Sequence, residues 1–365
     1  MTNKKLRVAV SGIGWCGCEH VKAFQRHPDC EVVLLHGRDE TRVRENLKKY
    51  GVTGGNARIT TRVEDIFADR SIDIVSLAGI NSTHTPFAIE AARAGQHLLI
   101  EKPMARDETE LAALLSAVEK AGVKTVVSFE LYWNPLFQVA RWLIASGRLG
   151  NVMFVRSDYH SRAGDWYSGW KWSRTRAEAR SFLLNAGCHA VDAVRNFTND
   201  QPQAVSAFHT TGLDLGYEYP TTTHLNLQFA QGQLGQVSAS ADVATPYHFG
   251  LELYGTKLSL VNQYLRWPSE AHVSVEELQK ECPIPHVRFF LEPYSEKHSQ
   301  IRLDCALLNS VNVDHHPFAE EAVSLVTAIQ ENKPTPLPVT RAAITHRICY
   351  AADRSADQGG QVVRL

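Results

Sequence analysis

Residues 6–17 read LRVAVSGIGWCG, and the rest of the chain is organised around them. The first half is a mostly apolar, β-branched run that is typical of a buried strand. The second half is a G-x-G-x-x-G pattern, after which come a helix-compatible segment at 19–25 and an apolar strand at 31–36. Glycines at such a turn permit a tight bend and the close approach of a ligand to the backbone. The stretch predicts a β-α-β unit whose helix begins at a phosphate-binding turn; the alternative is a glycine-rich turn with a structural role only.

Length and charge narrow the class of protein. A chain of 365 residues exceeds one average core, and 44% hydrophobic with 21% charged residues is ordinary for a globular enzyme. A net charge of −1 gives no electrostatic basis for binding nucleic acid or an anionic membrane. No apolar run approaches the length of a membrane span. We therefore expect neither nucleic acid nor a membrane as a partner.

The cysteines and the N-terminus bear on the compartment. The seven cysteines contain no C-x-x-C pair, and a disulfide between Cys16 and Cys18 would distort the glycine turn. No targeting segment fits before the first strand. Reduced thiols without a leader predict a cytoplasmic protein, and no metal site is predicted.

Strands alternate with helices through the first part of the chain. Further apolar strands are predicted at 72–78, 96–100 and 123–129, with helices at 42–49, 87–95 and 107–121. Residues 79–86 are expected to form a loop at the carboxyl end of a strand, on the ligand side of the sheet. This alternation predicts an α/β Rossmann domain over residues 1–130, with a doubly wound parallel sheet.

The pattern changes after residue 130. Alternating apolar and polar runs occupy 152–159, 204–211, 222–229, 234–240 and 248–254, which predicts strands with one covered face. One helix is expected near 185–197, and two more begin at Pro317 and Thr340. Residues 131–365 are therefore expected to form an α+β domain with a large, open, mostly antiparallel sheet that binds substrate. Because an open sheet of this size usually finds a partner, we expect a homodimer or homotetramer through it.

The end of the second strand bears on the choice of cofactor. In a dinucleotide fold an acidic residue near this point binds the adenosine ribose, but here Gly37 stands in its place and Arg38 follows. A missing carboxylate next to a guanidinium favours NADP over NAD. The alternative is that Arg38 is a solvated loop residue, or stacks on adenine with either cofactor.

Two further motifs carry candidate chemistry. Glu101-Lys102-Pro103 follows a parallel strand, and Pro103 holds the lysine extended, where its ammonium can hydrogen-bond a substrate hydroxyl. Asn185 and His189 are four residues apart, so that on an α-helix they share one face. A histidine is suited to moving a hydroxyl proton, and Asp192 is placed either to orient it or to anchor the helix. The alternatives are a surface lysine and a satisfied core histidine.

These motifs together resemble the Gfo/Idh/MocA family of nicotinamide-dependent oxidoreductases. The glycine turn, the loop from Asn81 to His84, Glu-Lys-Pro, the segment at 145–150 and Gly187-x-His189-x-x-Asp192 occur in the family's order and spacing. The resemblance implies hydride transfer between NAD(P) and a secondary hydroxyl of a sugar, glycoside or cyclitol. It implies catalytic residues at Lys102, Asn185 and His189. Cofactor contacts are expected from Gly12, Ile13, Gly14, Trp15, Gly37, Arg38, Asn81, His84, Glu101 and Lys102.

The sequence departs from the family at two points. Many members carry Asp where this chain has Asn185; an amide can orient a hydroxyl but cannot act as a base. A glycine cluster common in members is replaced here by residues 178–181, so Arg180 is a candidate substrate contact. Aromatic residues beside polar groups suit sugar rings, and we expect substrate contacts from Tyr159, Trp172 and Arg174, within a stretch that also holds Trp166 and Tyr167. Packing beneath the sheet is the alternative for each aromatic residue.

Two other activities remain open on this resemblance. One is glycoside hydrolysis by transient oxidation with bound NAD. The other is a non-catalytic regulator that senses sugar and cofactor.

Overall fold

The computed structural model describes residues 5–164, 169–198, 201–268, 271, 273–295, 298–305 and 316–365. Trp166 and Tyr167 lie outside these ranges. The chain divides into two compact units. Unit 1 comprises 1–130, 164–180 and 317–346; unit 2 comprises 131–163, 181–316 and 347–365.

The core of unit 1 is a parallel sheet. Its strands are β1 (Leu6–Ser11), β2 (Cys30–His36), β3 (Arg58–Thr60), β4 (Ile74–Leu77), β5 (His97–Glu101) and β6 (Thr125–Ser128). The spatial order is β3-β2-β1-β4-β5-β6, and each neighbouring pair is parallel. The order reverses between β1 and β4, which is the switch point where doubly wound sheets bind ligands. The predicted Rossmann fold is confirmed, although the sequence analysis did not predict β3, which is only three residues long.

The helices of unit 1 cover this sheet. They are α1 (Trp15–Arg26), α2 (Glu40–Lys49), α3 (Glu64–Ala68), α4 (Asn81–Arg93), α5 (Glu108–Ala121), α7 (Trp170–Ser173), α8 (Arg176–Ala179), α11 (Phe318–Gln330) and the first part of α12 (Val339–Asp357). The predicted loop at 79–86 is wrong, because α4 already begins at Asn81 and contains Pro86. Pro86 is the sixth residue of α4, so the helix continues past it with one intrahelical hydrogen bond fewer, the one that would end on the Ser82 carbonyl.

Unit 2 contains a large open sheet. Its strands are β7 (Val152–His160), β8 (Pro202–Thr210), β9 (Thr222–Phe229), β10 (Leu234–Ser240), β11 (His248–Gly255), β12 (Ser259–Val261), β13 (Tyr264–Arg266), β14 (Arg288–Ser295), β15 (His298–Asp304) and β16 (Val363–Arg364). The order is β14-β15-β13-β12-β11-β7-β10-β9-β8-β16. The pair β7–β10 is parallel, and the other described pairs are antiparallel. The predicted mostly antiparallel sheet is confirmed.

Helices cover one face of this sheet. They are α6 (Pro135–Ala145), α9 (Cys188–Thr198), α10 (Val275–Glu281) and the remainder of α12. Every residue of α9 is buried. A π-helical segment, Leu183–Gly187, leads directly into α9. Where Gly187 passes the sheet, a Cβ would come within 2.5 Å of the Cβ of Ala239, so only glycine lets helix and sheet approach this closely.

The length and hydropathy of the helices show whether any of them could span a membrane. Within the part of the chain that the structure describes, each helix is too short or too polar to cross a lipid bilayer.

Candidate active site

The glycine turn lies at the switch point of the unit 1 sheet. Gly12 has a φ of +92°, and a Cβ there would lie 2.3 Å from the backbone nitrogen of Gly79, so this position requires glycine. A Cβ on Gly17 would lie 1.9 Å from the carbonyl oxygen of Gly12. By contrast, nothing lies within 4 Å of a Cβ on Gly14. Two glycines are thus required by internal packing, while the third leaves open space at the start of α1.

That open space lies at a helix N-terminus without a side-chain cap. Gly14 is the N-cap residue of α1, and the first turn carries no acidic residue. The backbone N–H groups at Trp15 and Cys16 therefore face the helix end with a partial positive charge. The first turn and the bare Gly14 form a cradle that fits the pyrophosphate of a dinucleotide. Trp15 packs edge-on against Phe318, with ring centroids 5.9 Å apart, and Ile13 is buried.

The end of β2 has no carboxylate available for a ribose. A Cβ on Gly37 would lie 2.5 Å from Cγ2 of Val43, so an acidic residue there requires that valine to move. The nearby Asp39 is the N-cap of α2 and accepts a hydrogen bond from the backbone N–H of Arg42. Arg38 between them is exposed. The local structure thus leaves the guanidinium of Arg38 as the charged group on this strand end that is not engaged in capping.

The start of α4 is held by an acidic side chain from α8. The Glu178 carboxylate accepts hydrogen bonds from the backbone N–H of Ser82 at 3.0 Å and from its hydroxyl at 2.9 Å. The side-chain amide of the buried Asn81 donates to the Glu178 carbonyl at 3.1 Å. Asn81 therefore serves to dock α8 on α4, which the sequence pattern did not indicate.

His84 is buried between two backbone carbonyl groups. Its Nδ1 lies 2.8 Å from the carbonyl oxygen of Pro103, and its Nε2 lies 3.1 Å from that of Gly79. Burial lowers the pKa of His84 in spite of these two acceptors. The neutral ring donates one hydrogen bond, and both nitrogens are turned to the protein. His84 thus ties the end of β4 to the loop that carries Lys102.

The Lys102 loop follows β5 directly. The Lys102–Pro103 peptide is cis. The Glu101 carboxylate accepts a hydrogen bond from the backbone N–H of Lys102 at 3.2 Å, and its other oxygen lies 3.3 Å from Nε2 of His20. The two atoms are close enough for an ionic contact, but the geometry falls short of a good hydrogen bond. Burial raises the pKa of Glu101, but His20 and the charge of Lys102 outweigh it and the net pKa is lowered. Glu101 is therefore a buried carboxylate.

A second buried carboxyl group lies in the same unit. Glu321 on α11 is fully buried and accepts hydrogen bonds from the Ser128 hydroxyl at 2.9 and 3.1 Å. Burial, and next the negative charges of Glu130 and Glu101, raise the pKa of Glu321 well above its usual range. Burial and the neighbouring negative charges therefore disfavour the ionised form of Glu321. Nothing in the sequence pattern of an amphipathic helix distinguishes it from the exposed Glu320 beside it.

In unit 2, Asn185 and His189 are separated by a change of helix type. Asn185 lies within the π-helical segment and His189 in the first turn of α9. The sequence analysis expected a regular α-helix through both residues, whereas the helix is π-helical at Asn185, where a turn closes after five residues and not four. Both side chains are buried, with 7% and 5% of their surface exposed. π segments of this kind are frequent at functional sites.

His189 is packed against an aromatic cluster. The ring of Tyr159 on β7 stacks on it with centroids 6.1 Å apart and planes inclined by 11°. Phe182, Tyr247 and Phe249 in turn surround the Tyr159 ring. The predicted substrate residue Tyr159 and the predicted catalytic residue His189 therefore lie together.

Asp192 is engaged within its own helix. Its carboxylate pairs with Arg195 at 3.0 Å and accepts a hydrogen bond from the Asn196 amide at 2.5 Å. Of the two roles considered for Asp192, these contacts favour anchoring of the helix.

The remaining predicted substrate residues belong to unit 1. The guanidinium of Arg174 lies over the Trp170 ring, 4.6 Å from its centroid, and donates to the Trp170 carbonyl oxygen. Trp172 is half-buried in the same short helix. Arg180 has φ 63° and ψ −59°, close to a rare γ-turn that is strained for any residue with a Cβ. This strained backbone gives a physical reason for the glycines that family members carry near this point.

The sequence analysis missed two buried histidines of unit 1, His20 and His346. His20 lies only three residues beyond the glycine turn, and His346 lies far along the chain in α12; neither falls in a motif that we had interpreted. Among the residues described, no group of histidine, cysteine, aspartate and glutamate side chains has an arrangement suited to a metal ion.

Comparison with solved structures shows the same fold in other proteins. A levoglucosan dehydrogenase in complex with NADH superimposes with a TM-score of 0.81 at 20% identity, covering 99% of both chains. GenD2 from gentamicin A biosynthesis, in complex with NAD, gives a TM-score of 0.78 at 22% identity over 99% of this chain and 97% of that one.

Curated relatives are more similar in sequence. The D-xylose 1-dehydrogenase (NADP(+)) 2 of Haloferax volcanii is 27% identical, covering 67% of this chain and 72% of its own length. The levoglucosan dehydrogenase of Pseudarthrobacter phenanthrenivorans is 25% identical, covering 72% and 75%.

Two family models match successive parts of the chain. Residues 6–129 match the oxidoreductase family with an NAD-binding Rossmann fold, and residues 137–261 match the GFO/IDH/MocA C-terminal domain. The glycine cradle at the switch point fits the cofactor of such enzymes. On these grounds the chain belongs to the Gfo/Idh/MocA family of NAD(P)-dependent oxidoreductases.

Proposed function

We propose that this enzyme oxidises or reduces one secondary hydroxyl of a sugar, glycoside or cyclitol, with Lys102 and His189 as its proton-handling residues. The proposal rests on two side chains with the chemistry for proton transfer, both of which this member of the family carries. One is Lys102, which directly follows β5 beside the buried carboxylate of Glu101. The other is a buried histidine stacked on Tyr159. The dehydrogenases and reductases named among the relatives support a carbohydrate substrate.

The cofactor is held by unit 1 in this proposal. Gly14 and the first turn of α1 bind the pyrophosphate, and Gly37 and Arg38 lie toward the adenosine ribose. When bound, the nicotinamide supplies the hydride acceptor or donor. Because the carboxylate next to Arg38, that of Asp39, caps α2, we propose a preference for NADP, in which the guanidinium pairs with the 2′-phosphate.

In this proposal, side chains of the protein transfer the proton of the substrate hydroxyl group. His189 accepts the hydroxyl proton during oxidation and returns it during reduction, and Lys102 donates a hydrogen bond to the oxygen as negative charge develops on it. Asn185 orients the same hydroxyl by hydrogen bonding, since an amide cannot take up the proton. Tyr159, Trp172, Arg174 and Arg180 are proposed to contact the sugar.

Two further proposals concern assembly and compartment. Strand β9 alternates buried and exposed residues, and the exposed Leu234 on the neighbouring β10 lies opposite the exposed Gln228 of β9, on the same face. We place a homodimer or homotetramer contact on this sheet. All seven cysteines are free thiols, which suits the reducing cytoplasm.

The test is a panel of sugars, glycosides and cyclitols assayed with NAD and with NADP by NAD(P)H absorbance. We expect steady turnover of cofactor, a lower KM for the NADP(H) pair, and loss of that preference in Arg38→Ala.

Lys102→Ala and His189→Ala should each lower kcat by about 10²- to 10⁴-fold while binding cofactor normally. Turnover close to wild type in either variant removes that residue from the scheme. Hydrolysis of glycosides without net cofactor consumption, or binding without any turnover, would replace the proposal with one of its rivals.

A further inference from the structure

Three buried histidines from three different helices surround the loop that carries Lys102. His20 comes from α1, His84 from α4 and His346 from α12, and their exposed fractions are 0%, 1% and 0%. All three, and the loop itself, belong to unit 1. Three buried, polar rings therefore converge on four consecutive residues, 101–104.

Each histidine holds a different group of the loop. His20 lies 3.3 Å from the Glu101 carboxylate, on the residue before Lys102. His84 donates to the carbonyl oxygen of Pro103 at 2.8 Å. His346 accepts a hydrogen bond from the backbone N–H of Met104 at 3.0 Å. Residues on both sides of Lys102 are therefore fixed by imidazole contacts.

The second nitrogen of each ring also lies close to a polar group of the protein. Nδ1 of His20 lies 2.7 Å from the Ser76 hydroxyl, and Nε2 of His84 lies 3.1 Å from the Gly79 carbonyl oxygen. Nδ1 of His346 lies 2.9 Å from the Ala342 carbonyl oxygen. Because the Met104 amide can only donate, His346 carries its proton on Nδ1 and accepts at Nε2. Each ring thus has a fixed orientation on a helix or strand.

Close packing around the loop does not by itself require histidine at these three positions. Burying an imidazole costs desolvation free energy that apolar side chains of similar size do not incur. Directional hydrogen bonds instead fix a loop to within a fraction of an ångström, which is the precision that a proton-transfer group needs.

We propose that His20, His84 and His346 are positioning residues that together set the orientation of Lys102, with His346 as the member whose loss is measured most cleanly. This inference rests on the proposed role of Lys102 in turnover. It predicts that the effect of His346 on catalysis passes through Lys102 and not through the stability of unit 1.

The experiment compares three variants. His346→Phe keeps an aromatic ring beside Phe129, whose centroid lies 6.1 Å away, but removes the acceptor for the Met104 amide. His346→Gln restores an acceptor. His97→Phe is the matched control, because His97 accepts the backbone N–H of Lys124 at 3.0 Å in the same way but begins β5, at the strand end away from Lys102.

We expect His346→Phe to lower kcat by roughly 10- to 100-fold, with the Kd of the cofactor unchanged. Hydrogen exchange measured by mass spectrometry should become faster in the peptide that contains Met104. His346→Gln should recover both properties, and His97→Phe should lower the melting temperature while kcat stays within about twofold. If the larger ring prevents folding, His346→Leu gives the same comparison. Equal kcat in His346→Phe and His97→Phe would overturn the proposal.

A double variant separates this inference from the proposed function. In a Lys102→Ala background, His346→Phe should cause no further loss of the residual rate, because both changes act on the same step. An additive loss would overturn the positioning role. Full turnover in Lys102→Ala itself would overturn the proposed function, while the faster exchange at Met104 would still report the hydrogen bond of His346.

Discussion

The Lys102 loop of unit 1 and the His189 helix of unit 2 hold their side chains by different physical means. Around Lys102 the contacts are hydrogen bonds to backbone groups, from His84 to Pro103 and from Met104 to His346. Around His189 the contacts are ring stacking and burial against Tyr159 and its aromatic neighbours. The first arrangement depends on backbone geometry, whereas the second depends on side-chain shape.

This difference predicts where each unit tolerates change. In unit 1, an atom added to the backbone at Gly12 has no room, because Gly12 lies in contact with the backbone of Gly79. In unit 2, side chains of similar shape should substitute for one another at modest cost, since volume-conserving changes in cores are tolerated best.

The largest effect is expected from a pair of glycine variants in unit 1. Gly12→Ala places a Cβ 2.3 Å from the Gly79 backbone at a φ of +92°, and should destabilise the protein by roughly 3 kcal/mol or more. Gly14→Ala meets no atom within 4 Å and should fold normally, yet weaken cofactor binding, because the added methyl group occupies the cradle. Thermal melts and cofactor titrations distinguish the two. A stable Gly12→Ala would show that the backbone of unit 1 adapts.

The aromatic packing in unit 2 is tested by Tyr159. Tyr159→Leu removes the ring that stacks on His189 and should lower kcat about tenfold, which matches the free energy of one aromatic pair. Tyr159→Phe keeps the ring and should stay within about twofold of wild type in steady-state assays. If Phe is as poor as Leu, the hydroxyl group acts directly and the packing explanation is wrong.

The buried carboxyl group of Glu321 in unit 1 gives a pH-dependent effect. The pKa of Glu321 is raised in the folded protein, so the folded state binds this proton more tightly than the unfolded state does. Stability is therefore lost as the pH rises above the usual carboxyl range of about 4. Glu321→Gln removes that loss, and its melting temperature should exceed that of the wild type increasingly between pH 5 and 8.

The matched control for this variant is Glu320→Gln, at the exposed neighbouring position. Its melting temperature should differ from wild type by the same small amount at each pH. Parallel melting curves for Glu321→Gln and wild type across this range would mean that the carboxyl group is ionised in the folded protein.

The smallest effect is expected at Arg180, at the boundary of the two units. Arg180→Gly relieves a strained φ of 63° and should stabilise the protein by about 1 kcal/mol. The same change removes a proposed sugar contact and should raise the KM for substrate. Denaturant titration and steady-state kinetics measure the two effects, and a variant that gains no stability would show that the Arg180 side chain makes contacts that offset the strain.

The sequence predicted those parts of the fold whose signals lie in a short stretch of residues. The strands β1, β4 and β5 and the glycine turn were predicted because their signals are local: apolar runs and a fixed glycine spacing. The long strands of unit 2 were predicted from simple alternation. The short β3 and the start of α4 were missed, since three residues carry too little periodicity and Pro86 suggested a break.

The candidate site residues likewise include some that sequence motifs identify and others that only long-range contacts identify. Lys102 and His189 stand in motifs and were singled out, whereas His346 contacts Met104 across 242 positions of sequence, and no local pattern connects them. The π segment around Asn185 was also missed, because its extra residue per turn follows from tertiary packing against the sheet and not from helix propensity.

That π segment lets the helix that carries His189 absorb a change in chain length. A π turn holds one residue more than an α turn, so deletion of a single residue within Leu183–Gly187 would convert the segment to a regular α-helix. Because five residues of a π turn and four of an α turn each complete about one full revolution, the residues before the deletion would keep nearly the same face relative to α9. Natural variation of one residue in length at this place would therefore change the helix locally around Asn185 while leaving Phe182 and His189 on their present sides.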